Sequence, residues 1–326
     1  MSRPKVYVSR EVDPRVIARL ADVCDVRTWS GSGRCPAEAL AKNGMEVDAI
    51  LGIDHWTADM MDTATRLRLI ALTAVGFDMV DVAAATDRGI LVTNTPDVLT
   101  ETVADLTLAL MLAAARRVCE TERWMRAGQW RAPGVTPMGR DVHHATLGIV
   151  GLGRIGAAVA ERAQGFHMLV LYSDFVRRED LEKQFGYRFV DLGTLLRESD
   201  FVTLHVPLLP QTKGMIGSAQ FALMKPTAYL INAARGPVVD ERALIAALQE
   251  GRIAGAGLDV YETEPTDMAN PLLTTENVVT LPHVGSATGA TRQAMVDLAV
   301  DNVLAVLQGK RPLTPVNPDV LFRLKG

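Results

Sequence analysis

Short apolar runs alternate with helix-like segments along almost the whole chain, and this alternation limits the folds that the chain can adopt. Segments between the runs, such as 13–23 and 57–67, repeat their apolar positions at helical spacing. Strands that alternate with helices need crossover connections, which produce a parallel sheet covered by helices. The pattern therefore predicts an α/β protein. The strand-like runs are residues 5–9, 48–53, 68–75, 89–95, 146–151, 168–173, 201–207, 228–234, 255–260 and 277–282.

A long helix pattern followed by a polar loop divides this series into two. The helix pattern runs from Glu101 to Ala127, with Thr100 as its predicted N-cap and Gly128 as its stop. The loop, residues 130–144, contains glycine and proline. A chain of 326 residues also has the length of roughly two domains. We therefore expect two doubly wound parallel-sheet units.

Composition and charge exclude several classes of partner. The net charge of −4 gives no electrostatic reason to expect nucleic acid or an anionic membrane surface. The N-terminal residues contain no apolar signal-peptide core, and no apolar run is long enough to cross a bilayer. Cys24, Cys35 and Cys119 form neither a disulfide framework nor a metal-binding motif. We expect a soluble cytoplasmic protein without a metal site.

The segment "TLGIVGLGRIG" contains glycines in the spacing of a phosphate-binding turn, between a predicted strand and a predicted helix. Gly151 allows the tight turn, Gly153 lets a pyrophosphate approach the backbone, and Gly156 lets the helix pack closely on the strand. Arg154 and Ile155 begin the helix, whose N-terminus offers N–H groups and partial positive charge to the phosphates. A glycine spacing alone is equally typical of an ordinary turn. With the strand and helix around it, the segment predicts a dinucleotide-binding site.

The next strand ends at Asp174, about twenty residues beyond the glycines, where a carboxylate binds the adenosine ribose in such sites. A carboxylate there repels a 2′-phosphate and so favours NAD(H). Arg177 and Arg178 follow closely and suit the 2′-phosphate of NADP(H) if the loop folds back. The structural alternatives are a turn residue for Asp174 and a solvated helix start for the arginines. NAD(H) is the predicted cofactor, and NADP(H) is the alternative.

Three polar residues follow predicted strands in the second half of the chain: Arg235, Glu264 and His283. Ligands of parallel α/β folds bind outside the carboxyl ends of the strands, so we expect these side chains on the cofactor's face. A guanidinium suits a substrate carboxylate, and a carboxylate beside an imidazole favours its protonated form. Each also has a structural reading: a surface ion pair for Arg235, solvent exposure for Glu264 with Glu262 as its competitor, and a local hydrogen bond for His283.

Together these motifs resemble the D-isomer-specific 2-hydroxyacid dehydrogenases, from about residue 5 to residue 318. The likeness is carried by "GLGRIG", "HVPLLPQTKGMIG", "LINAARGPVVDERALIAALQEGRIAGAGLDVYETEP" and "LPHVGSAT". The segments "TPDVLTETVADLTLALMLAAARRV" and "GRDVHHATLGIVGLGRIG" look most like the glyoxylate/hydroxypyruvate and 2-ketogluconate reductase branch. The resemblance implies NAD(P)H-dependent reduction of a small 2-keto acid (glyoxylate, hydroxypyruvate or 2-ketogluconate) to the D-2-hydroxy acid.

The resemblance also assigns roles to individual residues. It implies that Arg235 binds the substrate's carboxylate and carbonyl, that Glu264 pairs with His283, and that His283 is the acid/base. The backbone of Val75 and Gly76 is implied to bind the substrate carboxylate, and Asp259 to hold the nicotinamide carboxamide. The implied cofactor contacts beyond the glycine turn and Asp174 are Val206, Pro207, Thr212, Ala233, Arg235, Asp259, His283 and Gly285.

The resemblance further implies a discontinuous domain arrangement. Residues 1–99 and 289–326 would form a flavodoxin-like substrate domain, to which a last long helix at about 289–309 returns. Residues 100–288 would form the Rossmann dinucleotide-binding domain, with the active site in the cleft between the two. Family members are typically homodimers joined through a segment like 101–145 here, so we expect a homodimer.

Three other functions share this fold. Formate dehydrogenases carry glutamine in place of Glu264, and phosphite dehydrogenases carry lysine in place of Val75. NADH-binding transcriptional corepressors retain the arginine, the glutamate and the histidine, but we expect them to have a peptide-binding cleft and disordered tails. Fold alone does not decide between a dehydrogenase and such a sensor. Turnover of a 2-keto acid would decide it.

Overall fold

The computed structural model describes residues 3–31, 35–132, 134 and 136–323. Pro133 and Val135, which belong to the predicted loop 130–144, lie outside the described residues. The chain forms two compact units, one of residues 1–99 with 288–326 and one of residues 100–287. We call them the first and second units. Across the described ranges, no helix combines the length and apolar character needed to span a bilayer.

Strands and helices alternate in both units. The described strands are β1 (Lys5–Val8), β2 (Asp25–Thr28), β3 (Ala49–Gly52), β4 (Leu69–Leu72), β5 (Leu91–Thr93), β6 (Thr146–Val150), β7 (Leu169–Ser173), β8 (Arg188–Phe189), β9 (Phe201–Leu204), β10 (Tyr229–Asn232), β11 (Gly255–Leu258) and β12 (Val278–Thr280). The α-helices are α1 (Pro14–Ala21), α2 (Ala37–Gly44), α3 (Ala58–Thr63), α4 (Val82–Asp87), α5 (Thr100–Ala115), α6 (Val118–Arg126), α7 (Arg154–Gln164), α8 (Glu179–Phe185), α9 (Leu192–Glu198), α10 (Ser218–Phe221), α11 (Glu241–Gln249), α12 (Gly289–Leu307) and α13 (Val320–Arg323).

The first unit contains a five-stranded sheet in the order β2-β1-β3-β4-β5, with each neighbouring pair parallel. This is the flavodoxin-like order of a doubly wound sheet. All four residues of β3 and all four of β4 are buried, as apolar runs covered on both faces should be. Helix α12 packs on this sheet although it follows the second unit in the chain. Its buried apolar positions recur at helical spacing: Val296, Ala299, Val300 and Val303.

The second unit contains a seven-stranded parallel sheet in the order β12-β11-β10-β9-β6-β7-β8. Strands β6, β7 and β8 run outward in one direction, and β9 to β12 run outward in the other. The direction of the strand order therefore reverses between β6 and β9, which is the point where doubly wound folds bind dinucleotides. The predicted α/β class with two parallel sheets is confirmed.

Two local predictions need correction, and two strands were missed. The single helix predicted from Glu101 to Ala127 is two helices, α5 and α6, because Arg117 adopts a left-handed backbone conformation with φ 53°. Thr100 is the first helical residue of α5 and does not precede the helix as a cap. Strands β2 and β8 were not predicted, because most of their side chains are exposed and neither forms an apolar run. Gly128, with φ +67°, follows the end of α6 as predicted.

Candidate active site and cofactor-binding turn

The glycine turn follows β6 at the reversal point of the second sheet. Gly151 has φ +94°, and a Cβ there would lie 2.9 Å from the carbonyl carbon and oxygen of His205. A Cβ on Gly156 would lie 2.1 Å from the carbonyl oxygen of Gly151, so close packing of helix on strand requires glycine. A Cβ on Gly153 would meet no atom within 4 Å. Helix α7 begins at Arg154 without a side-chain cap, so no N-cap side chain takes up the N–H groups that would donate to a dinucleotide's phosphates.

Asp174 follows β7 and faces this turn. One of its carboxylate oxygens accepts a 2.6 Å hydrogen bond from the backbone N–H of Leu152, inside the glycine segment. The other accepts a bond of 3.2 Å from the N–H of Val176. Asp174 is therefore a turn residue that also stabilises the glycine turn. Its half-buried carboxylate lies beside the predicted phosphate site. The two arginines that follow are ion-paired within their own segment.

Arg235, Glu264 and His283 follow β10, β11 and β12, three neighbours in the sheet. The Nδ1 atom of His283 lies 2.5 Å from a carboxylate oxygen of Glu264. Their side chains are 48% and 33% exposed, so the pair is open to a ligand. Glu264, and not its competitor Glu262, is the carboxylate that meets the imidazole. The structure thus pairs His283 with Glu264.

The segment containing Arg235 lies directly against the loop that precedes Glu264. A Cβ on Gly236 would lie only 1.8 Å from the carbonyl oxygen of Tyr261, so glycine is required where these two strand ends meet. The backbone N–H of Tyr261 donates to Glu264 at 3.1 Å. Burial acts to raise the pKa of Glu264, but the hydrogen bond with His283 and the charges of His283 and Arg235 bring this pKa below its ordinary value. Glu264 is therefore held as a carboxylate.

Asp259 fixes the backbone around His283. His283 has φ +53°, a conformation that side-chain-bearing residues seldom adopt and that its surroundings must hold in place. Its N–H donates to the carbonyl of Asp259 at 2.9 Å. The two carboxylate oxygens of Asp259 accept the N–H groups of Val284 and Gly285, at 2.7 and 2.8 Å. Asp259 is fully buried, and burial raises its pKa, while the two backbone hydrogen bonds oppose that rise. The sequence did not predict that Asp259 holds the loop around His283.

The other predicted cofactor contacts lie on the same edge of the second sheet. Val206 and Pro207 follow β9; Val206 is half-buried and Pro207 is exposed. Ala233 follows β10 and is half-buried. Thr212 is fully buried, and its hydroxyl donates to the carbonyl of Pro207 at 2.6 Å and accepts the N–H of Leu209 at 2.8 Å. Its hydroxyl therefore closes the loop after β9.

Val75 and Gly76 belong to the first unit, where they follow β4 and are half-buried. The side-chain amide of Asn94, after the neighbouring strand β5, donates to the carbonyl of Val75 at 2.8 Å. The hydroxyl of Thr314 in turn donates to the carbonyl of Asn94 at 2.6 Å. Asn94 thereby fixes the peptide for which substrate binding is expected. Sequence reasoning missed it, although its position directly after a buried strand is a detectable signal.

Comparison with known proteins identifies the family. The model of the D-isomer specific 2-hydroxyacid dehydrogenase NAD-binding domain matches residues 108–285. A glyoxylate reductase from Korarchaeum cryptofilum is 47% identical, with 98% of this chain and 97% of that protein covered. The glyoxylate reductase of Pyrococcus horikoshii is 46% identical with the same coverage.

Solved structures agree with the sequence relatives. The NADPH-dependent glyoxylate/hydroxypyruvate reductase from Sinorhizobium meliloti, in complex with NADP and malonate, has a TM-score of 0.87 and 38% identity, with 97% of both chains covered. The TT0316 protein from Thermus thermophilus has a TM-score of 0.88 and 43% identity, covering 96% of this chain and 99% of that one. The resemblance inferred from the motifs is thus confirmed, and the chain belongs to the D-isomer specific 2-hydroxyacid dehydrogenase family.

Proposed function

We propose that this enzyme reduces glyoxylate and the closely similar hydroxypyruvate, with NADH as its preferred cofactor. The protein is an NAD(P)-dependent oxidoreductase that reduces a 2-keto acid. Relatives 46–47% identical to it are named glyoxylate reductases, which supports glyoxylate over larger acids. The observation that carries the proposal is the 2.5 Å pair of His283 and Glu264, at the sheet edge that also bears Arg235.

The proposed chemistry follows from the positions of these three side chains. Glu264 is hydrogen-bonded to Nδ1 of His283. Nε2 is therefore the nitrogen that donates a proton to the substrate's carbonyl oxygen. When bound, the reduced nicotinamide supplies the hydride for C2 of the keto acid. Arg235 binds the carboxylate and the carbonyl oxygen and stabilises the negative charge that develops there. The carboxylate of Glu264 orients the imidazole through Nδ1, so that Nε2 is held ready to act on the substrate.

The cofactor is proposed to bind along the carboxyl edge of the second sheet. Its phosphates would be held by the glycine turn, and its adenosine ribose by Asp174. We assign residues 100–288 as the dinucleotide-binding domain and residues 1–99 with 289–326 as the substrate domain, with Val75 and Gly76 on the substrate carboxylate. The proposed cofactor contacts are Gly151, Gly153, Arg154, Ile155, Gly156, Asp174, Val206, Pro207, Thr212, Ala233, Arg235, Asp259, His283 and Gly285.

We further propose a homodimer that works in the cytoplasm. Among the described residues from 118 to 138, four large apolar side chains are at least half exposed: Val118, Met125, Trp130 and Met138. Exposed apolar side chains that lie close together in the chain favour a surface that a partner covers. All three cysteines lie among the described residues and are free thiols, as is usual in a reducing compartment. Light scattering coupled to size-exclusion chromatography should give the mass of two chains. Trp130→Glu should lower the measured mass towards that of one chain. A wild-type monomer would contradict the dimer.

The function is tested by initial rates of NADH and NADPH oxidation with glyoxylate, hydroxypyruvate, 2-ketogluconate and pyruvate. We expect turnover with both cofactors, a higher kcat/KM with NADH, and glyoxylate or hydroxypyruvate as the best substrate. Higher activity with 2-ketogluconate would overturn the substrate assignment. Tight NADH binding without turnover of any of the four acids would favour the non-catalytic sensor.

A further inference from the structure

Arg177, three residues after Asp174, is bound by a carboxylate from the helix that follows. Its Nε and Nη2 atoms donate to the two oxygens of Glu182 at 2.8 and 2.7 Å, which is the bidentate geometry of a strong pair. The guanidinium carbon also lies 5.7 Å from the centre of the Phe189 ring. Although the Arg177 side chain is 56% exposed, its charged end already has two partners inside the protein.

Glu182 is more buried than Arg177 and has an additional hydrogen-bond partner. Its side chain is only 17% exposed, and it accepts a further hydrogen bond of 2.7 Å from the hydroxyl of Tyr172. The hydrogen bonds from Arg177 and Tyr172 lower the pKa of Glu182 to about 2. Glu182 is therefore ionised throughout the neutral range, as its pairing with Arg177 requires.

We propose that Glu182 is a specificity-determining residue that keeps Arg177 away from the adenosine ribose and so makes the enzyme prefer NADH to NADPH. The inference rests on the proposed function, because it requires the dinucleotide to lie at the glycine turn with its ribose beside Asp174. A 2′-phosphate brings negative charge to this place, where Asp174 repels it. Only a cation that is not already neutralised would offset that repulsion, and Glu182 neutralises Arg177.

Arg178 is held differently and less firmly. Its Nε and Nη2 atoms donate to Asp180 at 3.0 and 2.8 Å, but the two side chains are 34% and 62% exposed, and such surface pairs contribute little. Its Nη1 atom lies 3.3 Å from the carbonyl of Leu152, in the glycine turn itself. A bound 2′-phosphate would therefore compete easily with Asp180 for Arg178. Because Arg178 can be recruited in this way, we expect the enzyme to bind NADPH, although more weakly than NADH.

The test is a measurement of the dissociation constants of NADH and NADPH for the full-length protein, by fluorescence titration without substrate. Glu182→Gln removes the charge but keeps an oxygen that accepts the Tyr172 hydroxyl. We expect it to lower the ratio of the NADPH constant to the NADH constant at least about tenfold, the effect of one charge-assisted hydrogen bond. Glu179→Gln removes one charge from the same helix, where Glu179 pairs with Lys183 at 3.7 Å, and should leave the ratio unchanged.

A second variant separates release of Arg177 from a mere change of net charge. Adding Arg177→Ala to Glu182→Gln should restore the wild-type ratio. An unchanged ratio in Glu182→Gln, or a gain that persists without Arg177, would overturn the role of Glu182. Because binding is measured without turnover, failure to reduce any keto acid would count against the proposed function alone. Failure of the wild type to bind either dinucleotide would overturn both.

Discussion

Glu264 and His283 lie 19 residues apart in the chain and meet in a hydrogen bond of 2.5 Å. They meet because β11 and β12 are parallel neighbours, so that the segments after the two strands leave the same edge of the sheet. The N–H of Tyr261 orients the carboxylate of Glu264, and Asp259 holds the backbone of His283. The pair is thus held from both sides by groups of the protein itself.

Glu264→Gln should lower kcat for reduction about tenfold or more. The amide removes the charged acceptor that orients the imidazole of His283 through Nδ1, so the proton donor is held less firmly. The measurement is the initial rate with glyoxylate and NADH. Glu262→Gln is the matched control and should keep the wild-type rate. A wild-type kcat in Glu264→Gln would show that the pair has no part in proton transfer.

Asp259→Asn should destabilise the protein and lower kcat. Asparagine has one oxygen to offer where the carboxylate accepts two backbone N–H groups, so one buried N–H of Val284 or Gly285 would lose its acceptor. The loss should cost about 1–3 kcal/mol of the free energy of unfolding. Denaturant unfolding measures it, with Asp141→Asn, a side chain 78% exposed, as the control. Equal stability of the two variants would show that Asp259 does not anchor the loop.

Two alanine substitutions in the glycine turn should have opposite consequences. Gly156→Ala places a Cβ against the carbonyl of Gly151 and should lower the melting temperature. Gly153→Ala meets only open space and should leave stability within about 1 kcal/mol. Its Cβ would, however, stand where the pyrophosphate approaches, so NADH should bind at least about tenfold more weakly. Wild-type NADH affinity in Gly153→Ala would place the cofactor elsewhere.

The Arg177–Glu182 pair should stabilise the fold in a pH-dependent manner. The pKa of Glu182 falls from an ordinary value of 4.5 to about 2 in the folded state. The pair's contribution is therefore complete above the unfolded pKa and is lost as the pH falls towards the folded pKa. The free energy of unfolding of the wild type should exceed that of Glu182→Gln near neutral pH, and the difference should shrink below about pH 4.5. A difference that stayed constant with falling pH would contradict the lowered pKa.

The sequence predicted the two parallel sheets because their central strands, such as Ala49–Gly52, are short apolar runs covered on both faces. It did not predict β8, whose two side chains are exposed, or the break at Arg117, since hydrophobic periodicity carries no information on one residue's φ. The sequence also left open whether Glu262 or Glu264 pairs with His283. The backbone conformation of the turn decides which carboxylate faces the imidazole, and periodicity does not reveal it.

Some individual side-chain contacts could not be predicted from the sequence. Asn94 bonds to the carbonyl of Val75 across two strand ends, and no motif encodes that contact. The sequence likewise identified Arg177 as a candidate for binding a 2′-phosphate, but not the carboxylate of Glu182 that pairs with it. Such pairings depend on rotamers and on the start of α8, which three-dimensional packing decides.

Proton donation by His283 is tested most directly by the rate of glyoxylate reduction by His283→Ala, together with the dissociation constant of this variant for NADH. We expect kcat to fall about a hundredfold or more, because general acid catalysis contributes on that order, while NADH binds nearly as to the wild type. His143→Ala, which removes a histidine whose side chain is 61% exposed, should keep wild-type kinetics. Near wild-type turnover by His283→Ala would show that His283 does not deliver the proton.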